Sequence, residues 1–375
     1  MNLADAPTMN DSVANDAILS AVHGVVSTQL MPIVNQIDRD GIYPRAVMHS
    51  LGDAGAYRCV VGPDANFQRA IAAMTDISSA CMSTGFMTWC QDVCGVYIEQ
   101  SGNSALIERR LHNHANGITL GGTGMSNPMK ALASIETLLL KGEKVSGGYV
   151  VNGTLPWVSN IGAGHYLGGV FQVDASKSHE VMFLLECDAP GVLLKHCPTF
   201  SGMEGTGTYS VRLTNVFVGD DCIIADPMRP FVAKIRAAFI ILQCGMGLGV
   251  AQAAIDACWE VEDQLGHVNE FLHDRPDELQ LELDELTARI NCLAASPYDG
   301  SKDHLIDTLD VRAHCSELSL KASQSALLHQ GARGYLMTAA PQRLIRESHF
   351  VAIVTPALKH LRKEIARLSA PTFPA

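Results

Sequence analysis

The sequence predicts an α+β multidomain chain: an N-terminal helical domain, a central β-barrel or sandwich, and a C-terminal four-helix bundle. Three observations lead there. Helix-forming text runs to about residue 115, short β-favouring runs separated by turn residues follow to about Pro227, and long helical segments return after Pro230. The domains are accordingly set at 1–115, 116–227 and 228–375.

In the first region, Val13–Val26 carries short apolar repeats, and Phe67–Gln100 is rich in Ala, Met and Cys with few breakers. Gln100–Asn103 is a turn before a further helix near Ala105–Leu111. The central region offers Tyr149–Val151, Leu155–Val158, Gly168–Val173, Glu180–Glu186, Gly191–His196, Thr208–Val218 and Cys222–Ala225 as strands. Asn152–Gly153 is expected to form a tight hairpin turn. The alternation along Tyr209–Val218 breaks at Thr214–Asn215, which predicts a bulge. Beyond Pro230, Phe231–Glu262, Asp277–Ala295, Thr308–Gln330 and Arg343–Leu368 read as the helices of the bundle, with Pro276 and Pro297 at breaks between them.

Composition narrows the function. Of 375 residues 47% are hydrophobic and 18% charged, the mark of a globular chain with a large interior. A net charge of -12 argues against a nucleic-acid surface, yet leaves room for a local basic pocket for a phosphate-bearing ligand. The N-terminus shows no basic segment ahead of an apolar one, and Ala237–Ala251 is too short an apolar run to span a bilayer. We expect a cytoplasmic protein without membrane insertion, its eleven cysteines, which include no C-x-x-C pair, reduced. His112 and His114 have no third partner at a metal-ligand spacing, so no metal is expected. No strand–GxGxxG–helix unit for a nicotinamide cofactor is present.

Three passages, together with the helical–β–helical order, resemble the acyl-CoA dehydrogenase superfamily over nearly the whole chain. They are Leu120–Met129 (LGGTGMSNPM) with Tyr149–Asn160 (YVVNGTLPWVSN), Gly202–Val218 (GMEGTGTYSVRLTNVFV) and Gly331–Arg346 (GARGYLMTAAPQRLIR). The resemblance implies a flavin, FAD with FMN as the alternative. It implies contacts from Leu120, Gly121, Gly122, Thr123, Ser126, Trp157 and Ser159, and from the glycine-rich turn at Gly331 and Gly334. These roles make physical sense. A flat ring system needs an aromatic wall, which Trp157 supplies, and Ser159, two residues on, shares its strand face and brings a hydroxyl to the N5 edge.

The departures concern the base. Members of the family use a glutamate to take the α-proton of an acyl thioester; matching the motifs puts that position at Thr355, or at Phe239 for relatives that carry it on an earlier helix. Neither is acidic. Replacement candidates are His165 and His349, while Arg346 and Glu347 look like a structural Arg–acid pair. Three readings follow: dehydrogenation of the α,β C–C bond of an acyl thioester with a displaced base, a monooxygenase or oxidase using reduced flavin and O₂, and an inactive subunit paired with a complete homologue. The resemblance further implies a small-molecule substrate such as an acyl-CoA, a homodimer or homotetramer (or a hetero-oligomer with a homologue), and an electron-transfer or flavin reductase partner.

Overall fold

The computed structural model describes residues 16–173 and 179–371; the first residues of the Val13–Val26 stretch lie outside them. The N-terminal helices are α1 (Ala17–Val25), α2 (Val34–Asp40), α3 (Arg45–Asp53), α4 (Phe67–Ala80), α5 (Met82–Gln100) and α6 (Ser104–Ala115). Phe67–Gln100, expected as continuous helix, is interrupted at Cys81, whose backbone is extended. Helix α5 is buried from Met82 through Ile98. Apart from Gln91 and Asp92 this stretch is apolar or small around the whole circumference, the composition of a helix with no solvent face.

The central region contains β1 (Gly121–Thr123), α7 (Ser126–Leu132), β2 (Lys141–Val145), β3 (Gly148–Val158), β4 (Tyr166–Val173), β5 (Glu180–Glu186), β6 (Val192–His196), β7 (Tyr209–Gly219) and β8 (Ile223–Ala225). The strands form one mixed sheet in the order β6-β7-β3-β2-β4-β5-β8, with β1 parallel to β4. It ends in free edges at β6 and β8, so it is open and not a closed barrel. Strand β4 is buried at every position because both faces are covered. Tyr166 and Val170 join the helical core, while Leu167, Phe171 and Val173 join the core of the β region, as the two-residue period requires.

Asn152–Gly153 does not turn a hairpin. Strand β3 runs straight through it, paired antiparallel with β7 from Gly148 to Val158. Between the pairs Val151–Val216 and Gly153–Leu213, Asn152 alone faces Thr214 and Asn215, so the bulge lies where the alternation broke. The Asn152 side chain accepts from the Asn215 N–H (2.8 Å), and Gly153 takes φ 135°, which removes the need for a reversal.

The C-terminal helices are α8 (Met228–Leu242), α9 (Cys244–Trp259), α10 (Glu262–Asn269), α11 (Pro276–Ala294), α12 (Lys302–Gln330), α13 (Ala340–Ile353) and α14 (Leu358–Ser369). The expected Arg343–Leu368 helix is broken at Val354–Ala357, where Pro356 lacks the N–H that a helix interior requires. The expected Phe231–Glu262 helix is likewise two helices meeting at Gln243. By length and composition Ala17–Asp40 and Met228–Trp259 are each sufficient to cross a membrane, but the latter is 89% packed inside the helical core. All eleven cysteines are unpaired.

An ion pair and a hydrogen bond from a second pair tie α13 to the N-terminal helices. Arg346 grips Asp38 through both carboxylate oxygens (2.7 and 2.6 Å). Glu347 faces Arg343 (3.4 Å) and accepts from the Met82 N–H (3.0 Å), so Arg346 and Glu347 serve different partners rather than each other.

His114 illustrates how this core fixes a protonation state. Its Nε2 lies 2.7 Å from the Gln91 carbonyl, which only accepts, so Nε2 carries the hydrogen. Nδ1 is then the acceptor facing the Tyr166 hydroxyl and the Gln91 amide. Burial pushes the imidazole pKa down to about 4, against the raising effect of the Gln91 carbonyl. A depressed histidine pKa stabilises the fold above the unfolded value, and that contribution is lost as pH falls from about 6.5 to about 4. The stability gap between the wild type and His114→Gln, from urea unfolding, should therefore shrink by up to about 3 kcal/mol between pH 7 and pH 4. A gap independent of pH would contradict the assignment.

Candidate functional site

A cavity of about 500 Å³ opens where the three regions meet, a size within the usual range for small-molecule and cofactor sites. Phe86 and Trp89 of α5 contribute from the N-terminal helices; Thr123, Met125, Ser126 and Lys130 come from β1, α7 and the link between them. Trp157 and Ser159 enter from the end of β3, and Phe200, Met203, Thr206 and Thr208 from the loop before β7. Phe239 of α8 and Arg346, His349, Phe350 and Ile353 of α13 close it, with Val354 and Thr355 just beyond. Positions 346, 349, 350 and 353 follow the helical period, so one face of α13 supplies them all.

Both positions at which the base was sought, Phe239 and Thr355, lie on this cavity, and no Asp or Glu is among its described lining residues. Thr355 Oγ1 is 2.9 Å from Ser126 Oγ, and its carbonyl accepts from the Gln243 amide (2.9 Å). Gln243 in turn accepts from Arg312 Nε (3.0 Å). The Arg312 side chain is wholly buried and also donates to the Ser316 hydroxyl (2.5 Å) and the Val351 carbonyl (2.7 Å). Burial lowers its pKa, opposed by the nearby Cys244 and Cys315 thiols.

One end of the cavity is aromatic. Phe86 and Trp89 are near parallel with centroids 5.7 Å apart; Trp89 meets Phe239 edge-on at 4.9 Å, and Phe86 meets Phe350 edge-on at 4.8 Å. The Trp89 indole N–H is occupied by the Phe239 carbonyl (3.3 Å), so the ring presents only carbon to the cavity. The other end carries hydroxyls. Ser159 Oγ lies 2.6 Å from Thr208 Oγ1, which is 2.8 Å from Thr206 Oγ1. Thr123 Oγ1 sits 2.9 Å from the Tyr97 hydroxyl. Trp157 is 57% exposed although large and apolar, with its ring edge-on to Phe200 at 6.5 Å.

The two histidines separate. His165 is buried away from the cavity, its Nδ1 3.1 Å from the Asn160 carbonyl and its ring 5.8 Å from that of Tyr43; burial lowers its pKa. His349 lines the cavity. Its Nδ1 is 2.6 Å from the Ile345 carbonyl, so Nδ1 carries the hydrogen and Nε2 offers a lone pair for which no protein partner occurs among the described residues.

The remaining expected contacts also divide. Thr123, Ser126, Trp157 and Ser159 line the cavity; Leu120, Gly121 and Gly122 lie behind it. A Cβ on Gly121 would come within 2.7 Å of the Tyr166 ring, and one on Gly122 within 2.3 Å of the Ser159 carbonyl. These glycines permit close strand packing. Gly331 and Gly334 sit in the turn after α12, outside the cavity. Sequence reasoning missed Phe86, Trp89, Thr206, Thr208 and Phe350. The aromatic residues look like any core positions, and only the Gly205–Thr208 cluster of glycine and hydroxyl residues carried a local signal.

Gln91 of α5 holds the cavity wall in place. Its carbonyl oxygen accepts from the Gly121 N–H (2.8 Å), while its amide donates to the carbonyls of His114 (3.1 Å) and Thr119 (3.0 Å). Gln91→Leu should leave these buried groups unpaired and cost about 3 kcal/mol, read as a lower urea midpoint. A change below about 0.5 kcal/mol would show that β1 does not depend on this clasp.

Comparison with known proteins places this architecture. A family model described as acyl-CoA dehydrogenase, N-terminal domain, matches residues 13–118. The benzylmalonyl-CoA dehydrogenase of Aromatoleum aromaticum is 22% identical, over 90% of this chain and 93% of that protein. Among solved structures, the butyryl-CoA dehydrogenase of Megasphaera elsdenii superposes with a TM-score of 0.83 at 17% identity, covering 98% of each chain. A chain of the Acidaminococcus fermentans structure concerned with electron transferring flavoprotein and flavin-based electron bifurcation reaches 0.86 at 16% identity, over 98% of this chain and 99% of that one.

Proposed function

We propose that this chain, which belongs to the acyl-CoA dehydrogenase superfamily, is a flavin-dependent oxidoreductase that removes hydrogen from the α,β C–C bond of an acyl thioester, with His349 in place of the family's carboxylate. The observation that carries the reading is the cavity lining: Phe239 and Thr355, where the resemblance implies a carboxylate, both lie on it, and so does His349, whose Nδ1 is held by the Ile345 carbonyl and whose Nε2 is left as an acceptor. Histidine is the side chain most often used for such proton transfer.

The residues present fit a flavin ring. Trp157 leaves an uncovered aromatic face, and Thr123, Ser126 and Ser159 bring hydroxyls to the same wall, which is the pairing of flat apolar surface and polar edge that a flavin needs. FAD is the form we assign. When bound, it would supply the acceptor for the hydride leaving the β-carbon. The protein's own part is to hold the acyl group against Phe86, Trp89 and Phe350, to exclude water there, and to receive the α-proton at His349 Nε2. Absence of any carboxylate from the lining also favours a second reading, in which reduced flavin from a reductase and O₂ oxidise a substrate without α-proton removal. An electron-transfer flavoprotein is the redox partner we assign in the first reading.

The chain also fits self-association. Trp259, Val268, Phe271, Tyr335, Leu336 and Met337 are exposed, Phe271 to 80% and Tyr335 to 75%. The turn carrying Tyr335 is joined to α10 by the Arg333–Gln264 hydrogen bond, and the end of α12 before it by Asn269–His329, so these side chains lie at one end of the bundle. A second copy of this chain is the occupant we assign to that surface. Phe271→Asp with Leu336→Asp should lower the mass found by light scattering to that of a monomer; an unchanged mass would rule out this surface as the contact.

Two further outcomes test the site. Trp157→Ala should weaken flavin binding about tenfold or more while leaving the melting temperature nearly unchanged, because the ring is largely exposed; equal flavin affinity would count against the site. Mixed anaerobically with a panel of acyl-CoA thioesters, the flavin-loaded protein should bleach and yield enoyl product. His349→Ala should lower kcat by about 10²-fold or more with KM little altered. Oxidation of substrate only after chemical reduction and admission of O₂ would instead establish the second reading.

A further inference from the structure

The hydroxyl row behind Trp157 has a defined direction. Thr206 Oγ1 lies 2.7 Å from the Met203 carbonyl, which has no hydrogen to give, so the single Thr206 hydroxyl hydrogen is committed there. The 2.8 Å contact between Thr206 and Thr208 must then be donated by Thr208. With that hydrogen spent, the 2.6 Å contact between Thr208 and Ser159 must be donated by Ser159. The row therefore runs Ser159 to Thr208 to Thr206 to the Met203 carbonyl. Only lone pairs remain on Ser159 Oγ for the cavity it lines.

The backbone makes this direction hard to reverse. Thr206 is 2% exposed, and its loop is stitched to the strand end by the Asn160 N–H to the Thr206 carbonyl (2.9 Å) and the Ile161 N–H to the Gly207 carbonyl (3.2 Å). Met203 and Gly207 bracket the loop with φ of 67° and 56°, which aims the Met203 carbonyl back at Thr206. Turning the row around would require Thr206 to give up its short bond to a buried acceptor, leaving the Met203 carbonyl only the longer bond from the Thr206 N–H (3.3 Å).

We infer that Ser159 meets its ligand as a hydrogen-bond acceptor, so that the site holds the reduced, N–H-bearing form of a flavin more tightly than the oxidised form. The inference rests on the flavin-binding reading above. The oxidised ring presents an unprotonated nitrogen at its central edge, which finds no donor in Ser159; the reduced ring presents an N–H, which finds an acceptor. Ser159, Thr208 and Thr206 are thus positioning residues for the redox state of the cofactor. The same arrangement suits a protein that receives flavin already reduced as well as one that reduces it with substrate.

The test is the midpoint potential of bound flavin, measured by dye equilibration and checked against dissociation constants for the oxidised and reduced forms. Thr206→Val removes the hydroxyl that accepts from Thr208 at nearly constant volume and lets Thr208 donate to Ser159, which frees the Ser159 hydrogen for the cavity. The preference for reduced flavin should fall about tenfold, a drop of about 30 mV for a two-electron couple. Thr206→Ser retains the row and should keep the wild-type potential. In a Ser159→Ala background Thr206→Val should have no effect, since the coupling passes through that hydroxyl. Bound flavin with an unchanged or raised potential in Thr206→Val, or a drop that persists without Ser159, would overturn the inference and leave the flavin site standing. Failure of the wild type to bind flavin in either form would overturn both.

Discussion

The burial of α5 on every side is the constraint from which the rest of the molecule is organised. From Met82 to Ile98 no residue of this helix reaches solvent, so each of its faces must be matched by another element. Phe86 and Trp89 form the aromatic end of the cavity together with Phe239 and Phe350 from two other helices. Gln91 holds the start of β1, and Tyr97 reaches Thr123 at its end. The Met82 N–H takes Glu347 from α13. One helix therefore sets the separation between the sheet and the C-terminal bundle, and the cavity is the space left where their side chains do not meet.

Several polar groups inside this core pin particular backbone atoms. Arg312 is a buried guanidinium served by neutral acceptors, and through Gln243 and Val351 it holds both the last turn of α13 and the backbone of Thr355. Neutral dipoles spare the protein a buried carboxylate there, but leave the cation dependent on every one of those bonds. The Thr355 backbone is thus anchored while its hydroxyl is engaged with Ser126. His349, on the cavity face of α13, has its Nδ1 engaged with the Ile345 carbonyl. Around Ser159 the order is similar: a buried carbonyl at the end of a hydroxyl row decides what the first hydroxyl can do.

Much of the architecture was legible before any coordinates. The switch from helical text to short strands and back placed the three regions, and the break in alternation at Thr214–Asn215 marked a real bulge. Trp157 and Ser159 were found from a local motif, since two strand positions of one parity must share a face. What misled was local chemistry read without its partner strand. Asn152–Gly153 has the residues of a hairpin turn, yet β7 lies alongside and takes the Asn152 side chain as a bulge partner. At Gly121 and Gly122 the partner elements likewise decide the packing, since Tyr166 and the Ser159 carbonyl occupy the room a Cβ would need.

By itself the sequence determined the periods: where most helices and strands run, which faces are apolar, that Pro276 and Pro297 fall at breaks between helices, and that neither expected base position is acidic. These follow from bonds and sterics within a few residues. Tertiary structure alone decided that Phe239 and Thr355, 116 positions apart in the numbering, share one cavity, that His349 enters it while His165 does not, and which way the hydrogens run from Ser159. Such outcomes depend on which distant carbonyl or ring fills the adjoining space, and no local pattern specifies that.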